Sequence, residues 1–283
     1  MRIAFASGKG GTGKTTIATN MAASLSADAR ECVYVDCDVE EPNGHIFLPS
    51  ASKEEIDVEV KIPSIDKEKC NLCGICADVC EFNAIAILGP EPLVFPSLCH
   101  NCGACFELCP ENAITEIPRT IGRIETGSFR KLEVISGRLN VGEAMAPPVT
   151  RALKKSLPYK EIVIIDAPPG TSCPVIEAVK DSDFVVLVTE PTPFGLNDFI
   201  LAYEMLKKLN LPFGVVINRC DIGDDRVENF CEDNGIEILL RLPFKKEIAE
   251  AYSRGKLICD IGSEFNEEMR DLFNKIMKKA SNG

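Results

Sequence analysis

Along most of the chain, short apolar runs rich in β-branched residues alternate with segments whose apolar residues recur at helical spacing. The runs at 2–6, 32–36, 161–166, 184–189, 213–218 and 237–242 read as strands, because such runs bounded by turn formers suit a buried β-strand. The periodic segments at 14–27, 174–180, 194–209, 226–234, 245–254 and 264–279 read as helices. This alternation predicts an α/β fold, a mostly parallel sheet covered by helices on both faces. From 51 to 119 the rhythm breaks, and 121–141 reads as irregular strands and turns that return the chain to the sheet.

Inside the break lies an internal repeat. Glu68-Lys-Cys-Asn-Leu-Cys-Gly-Ile-Cys-Ala-Asp-Val-Cys-Glu-Phe-Asn-Ala-Ile85 aligns with Ser97-Leu-Cys-His-Asn-Cys-Gly-Ala-Cys-Phe-Glu-Leu-Cys-Pro-Glu-Asn-Ala-Ile114 at an offset of 29 residues. The expected division is therefore a larger domain in two parts, 1–60 and 119–283, with a small α+β insert at 61–118. Each copy holds four cysteines, Cys70-x2-Cys73-x2-Cys76-x3-Cys80 and Cys99-x2-Cys102-x2-Cys105-x3-Cys109-Pro110. That spacing resembles the bacterial-type ferredoxin with two 4Fe–4S clusters. Zinc is the alternative for Cys-x2-Cys pairs, but a zinc ribbon uses two pairs and has no need for two four-cysteine runs. The resemblance implies one cluster on Cys70, Cys73, Cys76 and Cys109 and another on Cys99, Cys102, Cys105 and Cys80. Glu81 stands where a proline usually follows the first run, which removes no ligand. His100 reads as a solvent-facing loop residue.

Gly8-Lys9-Gly10-Gly11-Thr12-Gly13-Lys14-Thr15-Thr16 follows the first strand and opens a helix, the context of a phosphate-binding loop. Glycines let backbone N–H groups turn toward phosphates, and the helix N-terminus adds its positive dipole. Lys14 is expected at the β- and γ-phosphates of ATP or ADP, and Thr15 on Mg2+. The second lysine, Lys9, resembles the deviant loop of the MinD/ParA/Mrp branch of P-loop ATPases, to which nitrogenase iron protein is related. The resemblance implies that Lys9 reaches the partner's phosphates in a nucleotide-sandwich dimer. It also implies that Asp38, in Val35-Asp36-Cys37-Asp38, orients the attacking water, and that Asp166, in Asp166-Ala-Pro-Pro-Gly-Thr171, holds Mg2+ through water. Asn218, in Asn218-Arg219-Cys220-Asp221, is the family's adenine-contacting asparagine. The same four residues also resemble a guanine reader, with Arg219 in place of its lysine.

Cys173 follows Asp166 by seven residues, where nitrogenase iron protein has a ligand of its bridging cluster. An inert thiol is the alternative, and no second cysteine lies in Gly142-Glu-Ala-Met-Ala-Pro-Pro148. The C-terminal Cys-x-x-Cys that many Mrp-type cluster scaffolds use is absent. The remaining cysteines, Cys32, Cys37, Cys220, Cys231 and Cys259, have no ligand spacing and read as small hydrophobes.

Composition narrows the functional classes. A net charge of −12 argues against nucleic acid as a partner. Over 63–118, eight acidic residues face two lysines, a net of −6, so a redox partner docking there is expected to present a basic face. No charged-then-apolar leader precedes the first strand, and cysteine usage fits metal ligation in a reducing cytoplasm. The apolar stripe of Phe265, Met269, Leu272, Phe273, Ile276 and Met277 fits a helix packed on the sheet better than a membrane-surface helix, because Glu264, Glu267, Glu268 and Asp271 disfavour anionic lipid.

The resulting expectation is an ATP-hydrolysing homodimer, or a heterodimer with a related ATPase. Its nucleotide cycle gates electron delivery or metal transfer to a redox or metallocofactor client. The alternatives are an ATP-dependent reductase resembling nitrogenase iron protein and a MinD/ParA-type positioning switch with a ferredoxin sensor.

Overall fold

In the computed structural model, which describes residues 1–280, the elements follow in this order: β1 (Arg2–Ala6), α1 (Lys14–Ala27), β2 (Cys32–Asp36), β3 (Ala51–Ile65), α2 (Ile75–Asp78), β4 (Ile85–Leu88), β5 (Glu91–Val94), α3 (Ala104–Glu107), β6 (Ile114–Phe129), β7 (Leu132–Leu139), α4 (Pro147–Lys155), β8 (Ile162–Asp166), α5 (Cys173–Val179), β9 (Phe184–Thr189), α6 (Pro193–Lys208), β10 (Phe213–Asn218), α7 (Arg226–Asp233), β11 (Ile238–Leu242), α8 (Lys246–Ser253) and α9 (Ser263–Ala280). Nine strands form one sheet in the order β11-β10-β9-β1-β8-β2-β7-β6-β3, while β4 and β5 pair separately. From β11 to β7 every neighbouring pair is parallel, and β6 and β3 are antiparallel additions at one edge. The α/β expectation holds.

The parallel strands are buried on both faces, so they read as unbroken apolar runs; all five residues of β8 are buried. Alternation then divides them between two cores. Ile3, Phe5, Ile164 and Val186 pack with Ile17 and Met21 of α1 and Leu272 and Phe273 of α9. Ala4, Val33, Ile165 and Leu187 pack on the other face with Val149 and Leu153 of α4, Val175 of α5 and Phe199 of α6. The C-terminal stripe is thus core, with Phe265, Met269, Leu272, Phe273 and Ile276 buried. Among the described residues, no helix is long and apolar enough to cross a membrane.

The region read as a break contains β3 and the start of β6, the two longest strands. β3 alternates, with Val58, Val60 and Ile62 buried and Asp57, Glu59 and Lys61 exposed, as an edge strand does. It pairs with β6 from Ala51↔Ser128 to Ile65↔Ile114. Likewise 121–141 is not irregular but most of a regular β6–β7 antiparallel pair. Only Gly122–Phe129 of β6 pair with β7, whose last residue, Leu139, faces Gly122. Residues 114–121 therefore run with β3 beyond the C-terminal edge of the parallel strands, a ribbon of about 27 Å at about 3.4 Å per residue. Residues 66–113 sit at its far end. That edge is also where the phosphate loop leaves β1, five strands from β3, or roughly 24 Å at about 4.8 Å per strand.

Because Ile65 and Ile114 face each other, a two-residue Asn-Gly turn can join them. Replacing 66–113 with that turn should leave cooperative thermal unfolding and nucleotide binding intact. Loss of both would show that the excised segment is part of the main core.

Candidate functional site

The first site is built on the C-terminal ends of β1, β2, β8 and β10, where open α/β sheets bind ligands. Gly11 and Gly13 take positive φ values of 82° and 92° and turn the loop after β1 into α1. At that φ any larger residue is strained, and a Cβ on Gly13 would lie 2.4 Å from the Asn218 amide nitrogen and displace it. With Gly13 as N-cap there is no side-chain cap, which leaves the first amides of α1 directed at the cleft. The cleft is about 360 Å³ and is walled by Thr12, Lys14, Asp38, Asn43, Phe244 and Tyr252 among others.

Lys14 is buried, and its ammonium donates to Asp166 Oδ1 and, at 3.3 Å, to Thr15 Oγ1. It stands between the two side chains expected on Mg2+. The other Asp166 oxygen accepts the Tyr34 hydroxyl at 2.9 Å. Asp36, also buried, accepts the backbone N–H groups of Asp38 at 3.1 Å and Gly44 at 2.8 Å. Burial pushes the Asp36 carboxyl up to about 7, and the nearby Asp166 charge adds to the shift. Burial pushes Asp38 up to about 6 against the opposing pull of Lys14. Two polar atoms among the residues lining the cleft, Thr12 Oγ1 and Asn43 Oδ1, are buried without a hydrogen-bond partner. These orphaned atoms, the uncapped amides and the acidic cluster fit a magnesium-bound nucleotide.

Lys9 is half-buried, with its ammonium 3.8 Å from Glu190, which also accepts from Arg219 at 2.6 Å. Gly8 packs so closely on Asp198 that a Cβ would meet its carbonyl oxygen at 2.0 Å. Asn218 lines the cleft, donating to the Thr12 carbonyl at 2.8 Å and accepting the Arg219 N–H at 3.1 Å. Asp221, the carboxylate of the guanine reading, accepts the Phe244 N–H at 2.6 Å.

The second site is the cysteine segment. It divides into two small cavities, one lined by Cys70, Cys73, Cys76 and Cys109, the other by Cys80, Cys99, Cys102 and Cys105. In each, three thiols come from one run and the fourth from the other. The backbone repeats with the sequence: Leu72 and Asn101, Gly74 and Gly103, and Asn83 and Asn112 are three left-handed pairs, each offset by 29 residues. The Ala84 and Ala113 N–H groups donate to Cys80 Sγ and Cys109 Sγ at 3.2 and 3.3 Å. Such bonds favour thiolate and tune a bound cluster. Burial raises Cys76 and Cys105, the latter to about 11, and the neighbouring cysteines of each set raise both further. Among the described residues, no group of three or more His, Cys, Asp or Glu side chains closes around a single metal ion. The His100 ring is exposed but stacks on Phe82, with centroids 3.6 Å apart.

Cys173 is exposed at the start of α5, apart from both cavities. Asn43, Tyr34, Glu190 and the apolar wall of Phe244 and Tyr252 escape a reading by motif. Only Asn43 left a trace, in the Pro42-Asn43-Gly44 turn closing behind Asp36.

The model of the family described as "CobQ/CobB/MinD/ParA nucleotide binding domain" matches residues 3–258. An uncharacterized protein of Methanocaldococcus jannaschii is 34% identical over 98% of this chain and 96% of its own. A Pyrococcus horikoshii protein named iron-sulfur cluster carrier protein is 24% identical over 100% of this chain and 88% of its own. Among solved structures, the septum site-determining protein MinD of Pyrococcus horikoshii, complexed with Mg-ADP, superposes with a TM-score of 0.58 at 19% identity over 96% and 93% of the two chains.

The raised carboxyls give the nucleotide cleft a pH signature. In the free protein Asp36 and Asp38 hold protons to higher pH than in the unfolded chain, so their contribution to stability is present under acid and lost as pH rises through about 6 and 7. Those protons must leave before the carboxylates face a dication. The Mg2+-dependent part of ATPγS affinity should therefore grow between pH 5.5 and 7.5 in calorimetric titrations, with Asp38→Asn flattening the lower part of the rise. A difference between Mg2+ and EDTA titrations that is flat with pH contradicts this reading.

Proposed function

The chain belongs to the CobQ/CobB/MinD/ParA family of P-loop ATPases, and from that premise we propose that its ATP cycle drives electron delivery, or metal or cluster transfer, through an inserted module of two 4Fe–4S clusters. The observation that carries the reading is the sorting of eight cysteines into two cavities of four, with each run contributing one residue to the other's set. A shared fourth ligand is the logic of the two-cluster ferredoxin. The name of the Pyrococcus horikoshii relative lends the same direction.

At the cleft, the first amides of α1 receive the phosphates and Lys14 moves from Asp166 to the β- and γ-oxygens. Thr15 and Asp166 would hold Mg2+, which neutralises charge developing on the phosphoryl group. Asp38, ionised above pH of about 6, orients the attacking water. Lys9, held only loosely by Glu190 at 3.8 Å, is free to reach a partner's phosphates, and Arg219 remains to neutralise Glu190 when it leaves. The partner is a second copy or a related ATPase subunit. Asn218 braces the loop through Thr12 beside the base. With Asp221 Oδ1 engaged by the Phe244 N–H, the guanine reading keeps only part of its acceptor and adenine is favoured.

In the module, Cys70, Cys73, Cys76 and Cys109 would hold one cluster and Cys80, Cys99, Cys102 and Cys105 the other. When bound, the clusters supply one-electron storage at low potential. The amides of Ala84 and Ala113 stabilise thiolate at Cys80 and Cys109. The acidic surface of the segment fits a client with a basic face.

Anaerobic purification with iron and sulfide counting tests the reading, with about eight irons per chain expected for two clusters. Cys80→Ser should remove the signal of the Cys99 set rather than that of its own run, as read by EPR. Zinc without iron, or loss of the Cys70-set signal in Cys80→Ser, rejects it.

A further inference from the structure

The ribbon that carries the cysteine segment leaves the sheet at a defined joint. Val58 pairs with Gly122 but Glu59 pairs with Thr120, so Ile121 is an extra residue in β6, a β-bulge at the level where β7 ends. Bulges bend a strand and re-aim the residues beyond it. The bulge is stitched to the loop after β7: Ile121 O accepts the Asn140 N–H at 2.9 Å, and Thr120 O accepts the Asn140 side-chain amide at 3.4 Å. One residue further out, Arg119 and Glu143 form a bidentate ion pair, Nη1 to Oε1 and Nη2 to Oε2, the latter 2.8 Å. Both side chains are at least four-fifths buried, at 20% and 14% exposure. A bidentate pair out of solvent fixes orientation as well as distance.

The same loop is tied to the nucleotide cleft. The Leu139 N–H donates to Val39 O at 2.7 Å, and Val39 follows Asp38, which lines the cleft. Packing makes that contact stiff: Val39 is 1% exposed, and a Cβ on Gly137 would lie 2.6 Å from its side chain. From Asp38 to Arg119 there is thus an unbroken run of covalent links, backbone hydrogen bonds and one buried ion pair.

We propose that Arg119 and Glu143 are positioning residues that transmit the nucleotide state at Asp38 to the ribbon, and so set where the cysteine module lies relative to the cleft. The inference deepens the function proposed above and rests on its ATP cycle, but not on which metal the cysteines hold. A change in the 38–41 segment on nucleotide binding pulls on Val39 O and shifts the loop from Leu139 to Glu143. The shift turns the ribbon about its bulge. The pair acts through geometry and touches neither nucleotide nor thiols.

Hydrogen exchange by mass spectrometry on the full chain, with and without Mg2+ and ATPγS, reads this directly. In the wild type, nucleotide should slow exchange at least twofold in ribbon peptides covering 56–65 and 114–122, as well as in the phosphate loop. Glu143→Gln should abolish the ribbon response while ATPγS affinity and the phosphate-loop response stay within about twofold of wild type. The exchanged pair, Arg119→Glu with Glu143→Arg, should restore the response, which a loss of folding or mere packing would not allow. Arg119→Lys, which keeps charge but not the fork, provides the same comparison where Glu143→Gln does not fold. A ribbon indifferent to nucleotide in the wild type, or a response that persists in Glu143→Gln and in Arg119→Lys, overturns the proposal. Iron content distinguishes the two failures: a module without iron that still responds to nucleotide removes the redox function alone, and a loaded module that does not respond removes the coupling alone.

Discussion

One buried ammonium organises the nucleotide edge. Lys14 sits among Asp36, Asp38 and Asp166, three carboxylates on adjoining strand ends, and satisfies only Asp166 directly. A buried pair is costly to desolvate and costlier to break, so Lys14 and Asp166 hold each other in place through their shared need. Burial raises the two remaining acids, and the pull of Lys14 on both only partly offsets it. In charge terms the free site is short of cation. A magnesium-bound nucleotide would relieve this from both sides, its phosphates taking the ammonium and its cation being held by Thr15 and Asp166 beside the two remaining acids. The free structure is therefore poised for its ligand by electrostatics as much as by shape.

The sheet decides what such a change can move. Both faces are packed, and fully buried strands such as β8 and β9 have no slack in which to slide. Differences between nucleotide states are left to the loops at the C-terminal edge. β2 lies beside β7 and β7 beside β6, so the loops after β2 and β7 and the root of the ribbon are immediate neighbours. An insert placed beyond β10 or β11 would be separated from Asp38 by the whole phosphate-binding side of the sheet. The antiparallel ribbon also solves a topological problem. The cysteine segment leaves at Ile65 and returns at Ile114, directly opposite, so the parallel sheet need not rearrange around it.

Much of this was legible in the sequence, and the misses have physical causes. β1, β2, β9 and β10 lie at the residues expected from the apolar runs, since strands buried on both faces announce themselves without interruption. β3 and β6 went unread although β3 alternates cleanly. Pro63 and Pro118 argue against a strand interior, yet both lie in the projecting ribbon, beyond the reach of β7, where a missing N–H costs little. α4 was hidden by Pro147-Pro148, which looks like a loop but supplies a helix start with its fixed φ. At the site, Lys14 was visible in the phosphate-loop motif, and Asp38 and Asp166 because motif spacing puts them just past and at strand ends. Glu190 with Lys9, and Glu143 with Arg119, were not, because each pairing is made by the fold between segments with no shared motif.

The cysteine segment tests the limits of sequence reading differently. The ferredoxin resemblance implied which thiols belong together, but a cross-run set requires the two copies to fold back on each other. The paired left-handed residues provide the means. Leu72 and Asn101 adopt a conformation that side chains other than glycine and asparagine seldom tolerate, and Gly74 and Gly103 follow two residues later in each copy. Each loop is thereby curled through its first two cysteines into a four-residue helix, α2 or α3, which carries the third. The fourth cysteine follows that helix, and the amide of Ala84 or Ala113 donates to its sulfur. Each fourth thiol lines the cavity formed by the other copy's loop. Backbone geometry repeated every 29 residues and cavities lined from both runs make the two halves of the segment one unit at the end of a single ribbon.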